Sequence, residues 1–229
     1  LLNMDPLQNK MRVRGVGNRA VGLDSQSAEA NQIVQVRRWW LQRLVESPRP
    51  LQEKLTLFWH GHFASQNSVV QNSYTMFRQN QFFRDHAAGN FGALLYGIVH
   101  DPAMIRYLDN NKNVKGSPNE NLAREIMELF AMGVDQGYTE KDIVEAARAL
   151  TGYNYDHATG TYRFLYSQHD ATDKTIFGQT GPWTGDDLVR LILERPETSR
   201  FIGRKLFEYF AYPDPDKATV DSLADVLKG

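Results

Sequence analysis

Three short stretches of this chain carry side chains of the kinds that do acid–base or metal chemistry. Trp59-His60-Gly61-His62-Phe63 sets two imidazoles two residues apart. On a regular helix, positions i and i+2 point to different sides. Both therefore reach one metal ion only if Gly61 ends the helix, and a third ligand is still needed. The plainer alternative is one hydrogen-bonded core histidine and one surface histidine. The second stretch is Asn119-Glu120-Asn121 with Glu125 and Glu128. Asn121, Glu125 and Glu128 fall at i, i+4 and i+7 of one helix, with Arg124 beside them. Carboxylates three apart are used by metal sites in helical bundles, provided other helices supply matching ligands. The alternative is helix capping plus a solvated face with an Arg124–Glu128 pair. The third stretch, His169-Asp170 followed by Asp173-Lys174, pairs an imidazole with a carboxylate in a loop. Such a pair serves as orienter, base or ligand, or simply as loop hydrogen bonding.

Other chemistries have no support. There is no GxSxG, HExxH, Walker A or Rossmann glycine pattern, and no haem attachment motif. The chain has no cysteine, which removes disulfides, thiolate metal sites and a cysteine nucleophile. A net charge of -1 over 229 residues makes no bulk electrostatic case for nucleic acid. Only the basic residues at 10–19 and 37–43 speak for nucleic-acid or lipid roles. No apolar run approaches the roughly 20 residues of a membrane span.

The elements that must position these residues read as mostly helical. Residues 1–27 are expected to be irregular, with a basic, glycine-punctuated stretch at 11–19. A single helical domain follows over 28–229. Ile33, Val36, Trp40, Leu41 and Leu44 form a stripe on the first helix, with Arg37, Arg38 and Arg43 largely off it. Leu51, Leu55, Phe58 and His62 share a face of the second. A long helix is expected over 69–88, then short helices capped by Asn90 and by Asp101-Pro102. Ser117 and Glu120 read as a capping box for a central helix over 118–132, with Pro118 at its first position and Leu122, Ile126, Leu129 and Phe130 inward. Gly133 closes it. Thr139 and Thr184 start two more helices, the second with Asp187 completing a box. Tyr153, Tyr155, Tyr162, Phe164 and Tyr166 alternate around His157-Ala158-Thr159-Gly160, which predicts a hairpin near 152–168. Residues 169–181 read as loop, 197–210 as helix, and Asp214-Pro215 as the start of a last helix. About nine helices and one small hairpin predict a mainly α fold, a multi-helix orthogonal bundle. The last helix still carries core-type residues near Gly229, and the chain opens on Leu1 rather than Met. A longer parent chain is therefore expected, and the lack of a leader says nothing.

In that order, the stretches resemble a bacterial family catalogued as domain of unknown function 1800. The resemblance runs from about residue 35 to 229. It is carried by Pro50 to Phe63, Asp101-Pro102-Ala103-Met104 with Tyr107-Leu108-Asp109, Asn119 to Glu125 with Glu128-Leu129-Phe130, Tyr138-Thr139-Glu140, Ala147 to Gly152, and His169-Asp170 with Lys174. Tyr153 stands where the family pattern leads one to expect tryptophan. The resemblance implies longer, exported proteins, often encoded beside a second secreted protein that looks related to alkaline phosphatases and sulfatases. It implies no established reaction. It does imply that the three polar clusters belong to the family signature and converge on one site.

Two functions follow as expectations. One is a helical scaffold or binding module acting with a secreted partner, its polar residues forming an internal network and its hairpin tyrosines offering a carbohydrate or protein contact face. The other is an exported hydrolase with a divalent metal ion as the cofactor such a site takes. In it, His60, His62 and Glu128 are the metal ligands, with Glu125 as a further ligand or as general base. Asn119, Asn121 and Lys174 bind substrate, and His169 and Asp170 complete the catalytic set.

Overall fold

The computed structural model describes residues 23–228, with side chains from Glu29 onward. The basic stretch at 11–19 and most of the expected irregular segment lie outside the described residues. Eleven α-helices and two small antiparallel sheets make up the described residues, so the protein is mainly α with small β hairpins.

Helix α1 (Leu23–Glu46) begins ahead of the expected residue 28. Its inward side is Ile33, Val36, Trp39 and Arg43, while Leu41 is exposed. Arg43 lies two turns beyond Val36 and so belongs to the buried stripe, contrary to expectation. Helix α2 (Pro50–His62) starts on a proline and buries Glu53, Thr56, Phe58, Trp59 and His62; Leu51, expected inside, faces out.

Arg43 and Arg84 close on Glu53. Glu53 Oε1 accepts from Arg43 Nε at 3.0 Å and from Arg84 Nε at 2.7 Å, and Oε2 accepts from Arg84 Nη2 at 3.0 Å. Both guanidinium groups also lie over the Trp39 ring. This buried trio ties α1 and α2 to α4.

Two shorter helices replace the single helix expected over 69–88: α3 (Asn67–Val70) and α4 (Ser73–Asp85). Gln71 between them is left-handed, with φ 54°, which ends the first. Asn72 Oδ1 then accepts from Thr75 N at 3.0 Å and starts the second. Asn90 and Asp101 cap α5 (Phe91–Val99) and α6 (Pro102–Tyr107) as expected.

The main core gathers Phe63, Phe83, Leu94, Leu95, Ile98, Leu122, Ile126 and Ile192, all 0% exposed. Helix α8 (Glu140–Ala149) opens on a Thr139/Asp142 capping box and presents Ala146, Ala147 and Ala149. These small residues let it pack closely on the central helix.

The hairpin pairs β1 (Tyr153–Asp156) with β2 (Thr161–Phe164), Tyr153 opposite Phe164. Residues 174–181, expected to be loop, form a second hairpin of β3 (Lys174–Ile176) and β4 (Gln179–Gly181). Its two-residue turn is Phe177-Gly178, both at positive φ. That is the backbone of a primed hairpin turn without the usual Asn or Asp, so the turn signal was weak in sequence. Helix α9 (Gly185–Leu193) has the expected Thr184/Asp187 box, and α10 (Pro196–Phe210) follows. Helix α11 (Lys217–Lys228) begins later than Asp214-Pro215. Asp216 is its cap, accepting from Thr219 N at 2.8 Å.

Candidate functional site

The central helix starts differently from its sequence signature. Ser117 pairs with Val114 in an isolated bridge and makes no capping box with Glu120. Asn119 does the work instead, its Oδ1 accepting from Asn121 N at 2.9 Å. Helix α7 (Asn121–Glu125) passes into a π-helical turn (Ile126–Ala131). The buried side of this pair of elements is Leu122, Ala123, Ile126, Met127, Phe130 and Ala131, whereas Leu129 is 45% exposed. Ala123 and Ala131 contribute to the inward face as fully as the large residues do. Gly133, with φ +96°, ends the turn, and its N–H donates to Met127 O at 3.2 Å.

His62 meets that turn. Its Nε2 donates to the carbonyl of Phe130 at 2.8 Å, because a carbonyl only accepts. Nδ1 is then the unprotonated nitrogen, buried and with no partner among the described residues. The ring packs against Phe58 and edge-on to Phe63. Burial, helped by the charge of Lys205, pushes the His62 pKa down to about 4, against the opposing Phe130 bond. Gly61 remains inside α2, so His60 points elsewhere, edge-on to Trp40 at 4.9 Å between ring centres. Burial lowers its pKa too. Among the described residues, no three His, Asp or Glu side chains gather in a group that could hold a metal ion.

Arg124 organises the acidic cluster. It donates to Glu128 at 3.1 Å, to Glu120 at 3.0 Å and to both oxygens of Glu140 at 3.0 and 2.8 Å. Glu128 is thus held by an arginine. Glu125 is half-buried, with no hydrogen bond or ion pair to the other described residues. Burial, and then the neighbouring Glu128, raise its pKa.

The third cluster is a continuous hydrogen-bond network. His169 Nδ1 donates to Thr151 O at 2.8 Å. Thr151 Oγ1 donates to Arg148 O at 2.6 Å and accepts from Asp170 N at 2.8 Å. Asp170 Oδ2 accepts from Arg148 Nε at 2.8 Å. Burial works against the Asp170 carboxylate, but Arg148 and Thr172 outweigh it and hold its pKa well below the usual range. Lys174, itself buried, donates to the carbonyls of Asp170 and Thr172 at 2.5 and 2.8 Å. Gly152, at φ +80°, lets the chain pass here, since a Cβ would lie 2.7 Å from Leu165 O.

Asn119 joins this network through Asn113. Asn113 Oδ1 accepts from Asn119 N at 2.9 Å, its Nδ2 donates to Ala147 O at 2.8 Å, and its carbonyl accepts from Gly152 N at 3.1 Å. Asn110 adds two bonds from Nδ2, to Leu150 O at 3.2 Å and Tyr153 O at 2.9 Å. So Asn119, His169, Asp170 and Lys174 share one network. Glu125 and Glu128 form a second group and His62 a third, and the Asn121 side chain is exposed.

A family model described as protein of unknown function (DUF1800) matches residues 3–229. The chain belongs to that family. The match reaches further toward the N-terminus than the resemblance seen from the motifs. Searches of the curated proteins and of the solved structures found no match. In this DUF1800 chain, most of the candidate side chains from the signature stretches are divided among the three groups just described. The residues that sequence reasoning missed are Asn110, Asn113 and Arg148, which do most of the joining. The signal for the two asparagines was the polar loop at 110–116, rich in asparagine, and for Arg148 its place in the Ala147 to Gly152 stretch.

Proposed function

We propose that this DUF1800 chain is a non-catalytic helical scaffold or binding module, exported, that works beside a secreted partner protein. The supporting observation is where the signature side chains direct their polar atoms. His62 and Lys174 bond to backbone carbonyls, and Asp170 and Glu128 are held by arginines. Groups engaged in this way fix helix ends and loops and are not available to a substrate. Export and the partner rest on the family resemblance alone. The hairpin tyrosines contribute less of a contact face than expected, because Tyr153 is buried and Tyr162 packs edge-on to His100.

A second reading, a hydrolase with a divalent metal ion or a carboxylate base, draws on one observation. Glu125 is an unpaired, half-buried carboxylate beside a π turn, an element frequent at functional sites. One experiment separates the module from the metal-dependent hydrolase. Elemental analysis of the purified protein is repeated on His60→Ala and Glu125→Ala, with circular dichroism for the fold. The module reading expects no stoichiometric transition metal in any of them. Stoichiometric metal in the parent, lost in both variants with helicity intact, would overturn it.

A further inference from the structure

A cleft of about 410 Å³ opens between the α3–α4 turn, α6 and the first hairpin. Its volume falls in the range of about 300–1,000 Å³ found for small-molecule sites. Three of its lining side chains have hydrogen-bonding groups that the protein leaves unused. Asn111 is the clearest. Its neighbours Asn110 and Asn113 have their amides fully engaged inside, yet the Asn111 carboxamide meets no partner among the described residues, and its Oδ1 is buried. Only its backbone is used, its carbonyl accepting from Asn154 Nδ2 at 3.1 Å. Arg106 touches Asp109 at 3.5 Å through Nη1 alone, which leaves Nε and Nη2 free of described partners. The Tyr155 hydroxyl likewise has none, and burial raises its pKa, so it stays a neutral donor.

Gln71, which lines the cleft, ends α3 in a left-handed conformation, φ 54°. Tyr155 and His157, with ring centres 4.5 Å apart, stand as a wall. On the other side of that wall is a shallower hollow that carries Arg163. The acids nearby are already engaged: Asp109 by Arg106 and Lys112, Asp156 by the N–H groups of Ala158 and Thr159.

We infer that this cleft binds an acidic saccharide, its carboxylate on Arg106, its hydroxyls on Asn111 and Tyr155, and a sugar face against the Tyr155–His157 wall. The chemistry of the unused groups selects this class. A guanidinium whose Nε–Nη2 edge is free matches a carboxylate, an amide whose Nδ2 has no described partner donates to a hydroxyl, and aromatic rings favour the C–H face of a sugar. The inference rests on the reading of the chain as a binding module.

The test uses trigalacturonate and its methyl ester, which keeps every ring hydroxyl but loses the charge. Binding is followed by protein-observed NMR and calorimetry on the whole chain. Trigalacturonate is expected to shift resonances of Arg106, Asn111 and Tyr155, and the ester to bind about tenfold or more weakly. Asn111→Ala and Tyr155→Phe, which remove only groups without protein partners, are expected to fold normally and weaken binding several-fold. No binding at millimolar ligand, or binding that both variants leave unchanged, would overturn the inference while leaving the module reading in place. Binding at the cleft followed by cleavage of the ligand would support the site and count against a non-catalytic role.

Discussion

His62 on α2 donates to the carbonyl of Phe130 at 2.8 Å, joining residues 68 apart in sequence. Phe130 lies in the π turn, where regular helical bonding gives out, so a side chain from another helix satisfies a carbonyl there. Removing the ring leaves a buried acceptor unpaired and a cavity among Phe58, Phe63 and Phe130. His62→Ala is expected to cost about 3–5 kcal/mol in urea unfolding. His62→Gln, which keeps a donor, should recover part of it.

The same residue sets an acid limit. The folded His62 pKa of about 4 lies below its ordinary value of 6.5. Its contribution is therefore fully present above about pH 6.5 and is lost as pH falls toward 4, for a total of about 3 kcal/mol. Stability measured across that window should fall less steeply in His62→Gln than in the parent. Equal slopes would mean that His62 is not the titrating group.

Asp101 works in the opposite sense. Burial raises its pKa to about 6, against the bonds from Met104 N and Gln79 Nε2. What it contributes is complete below about pH 4 and is lost as pH rises through 6. Both bonds fall on Oδ1 at 2.7 Å, and an amide oxygen can accept them equally well. Asp101→Asn is expected to raise stability at pH 7 by about 1–2 kcal/mol and to leave it unchanged at pH 4. A loss at pH 7 would show that the charge itself is needed.

Glu53 is shared by Arg43 and Arg84, with both partners' side chains 1% exposed. Glu53→Ala leaves the two guanidinium groups without their shared counter-charge and is expected to cost about 3–5 kcal/mol. Thermal melts of Glu53→Ala and Glu53→Gln check it, with the glutamine variant intermediate. A melting temperature unchanged in both would refute a stabilising role for the trio.

Gly152→Ala tests the network that joins the signature residues. The new Cβ would meet Leu165 O at 2.7 Å in a backbone at φ +80°. The expected cost is about 2–4 kcal/mol. Hydrogen exchange should quicken first at Leu165 N, which donates to Gly152 O at 2.8 Å.

What was legible in sequence was local. The helix starts at Asn90, Asp101, Thr139 and Thr184, the end at Gly133, and the Tyr153–Phe164 hairpin all depend on residues within a few positions of one another. Their backbone bonds can be read from residue type and spacing, and so can the mainly α class. The Ser117 box failed because two acceptors, Ser117 and Asn119, competed for one helix start, and the Val114 bridge took Ser117 out of the contest. The burial of Arg43, Glu53 and Arg84 was decided by tertiary structure, since Arg84 reaches Glu53 across 31 residues and a charge enters a core only when its partner is already there. The same holds for the aim of the two histidines, the π turn that leaves Phe130 O for His62, and the cleft in which Asn111 stands unpaired. Residue type alone marked these groups as polar, but only the packing of distant helices decided which of them found partners among the described residues and which did not.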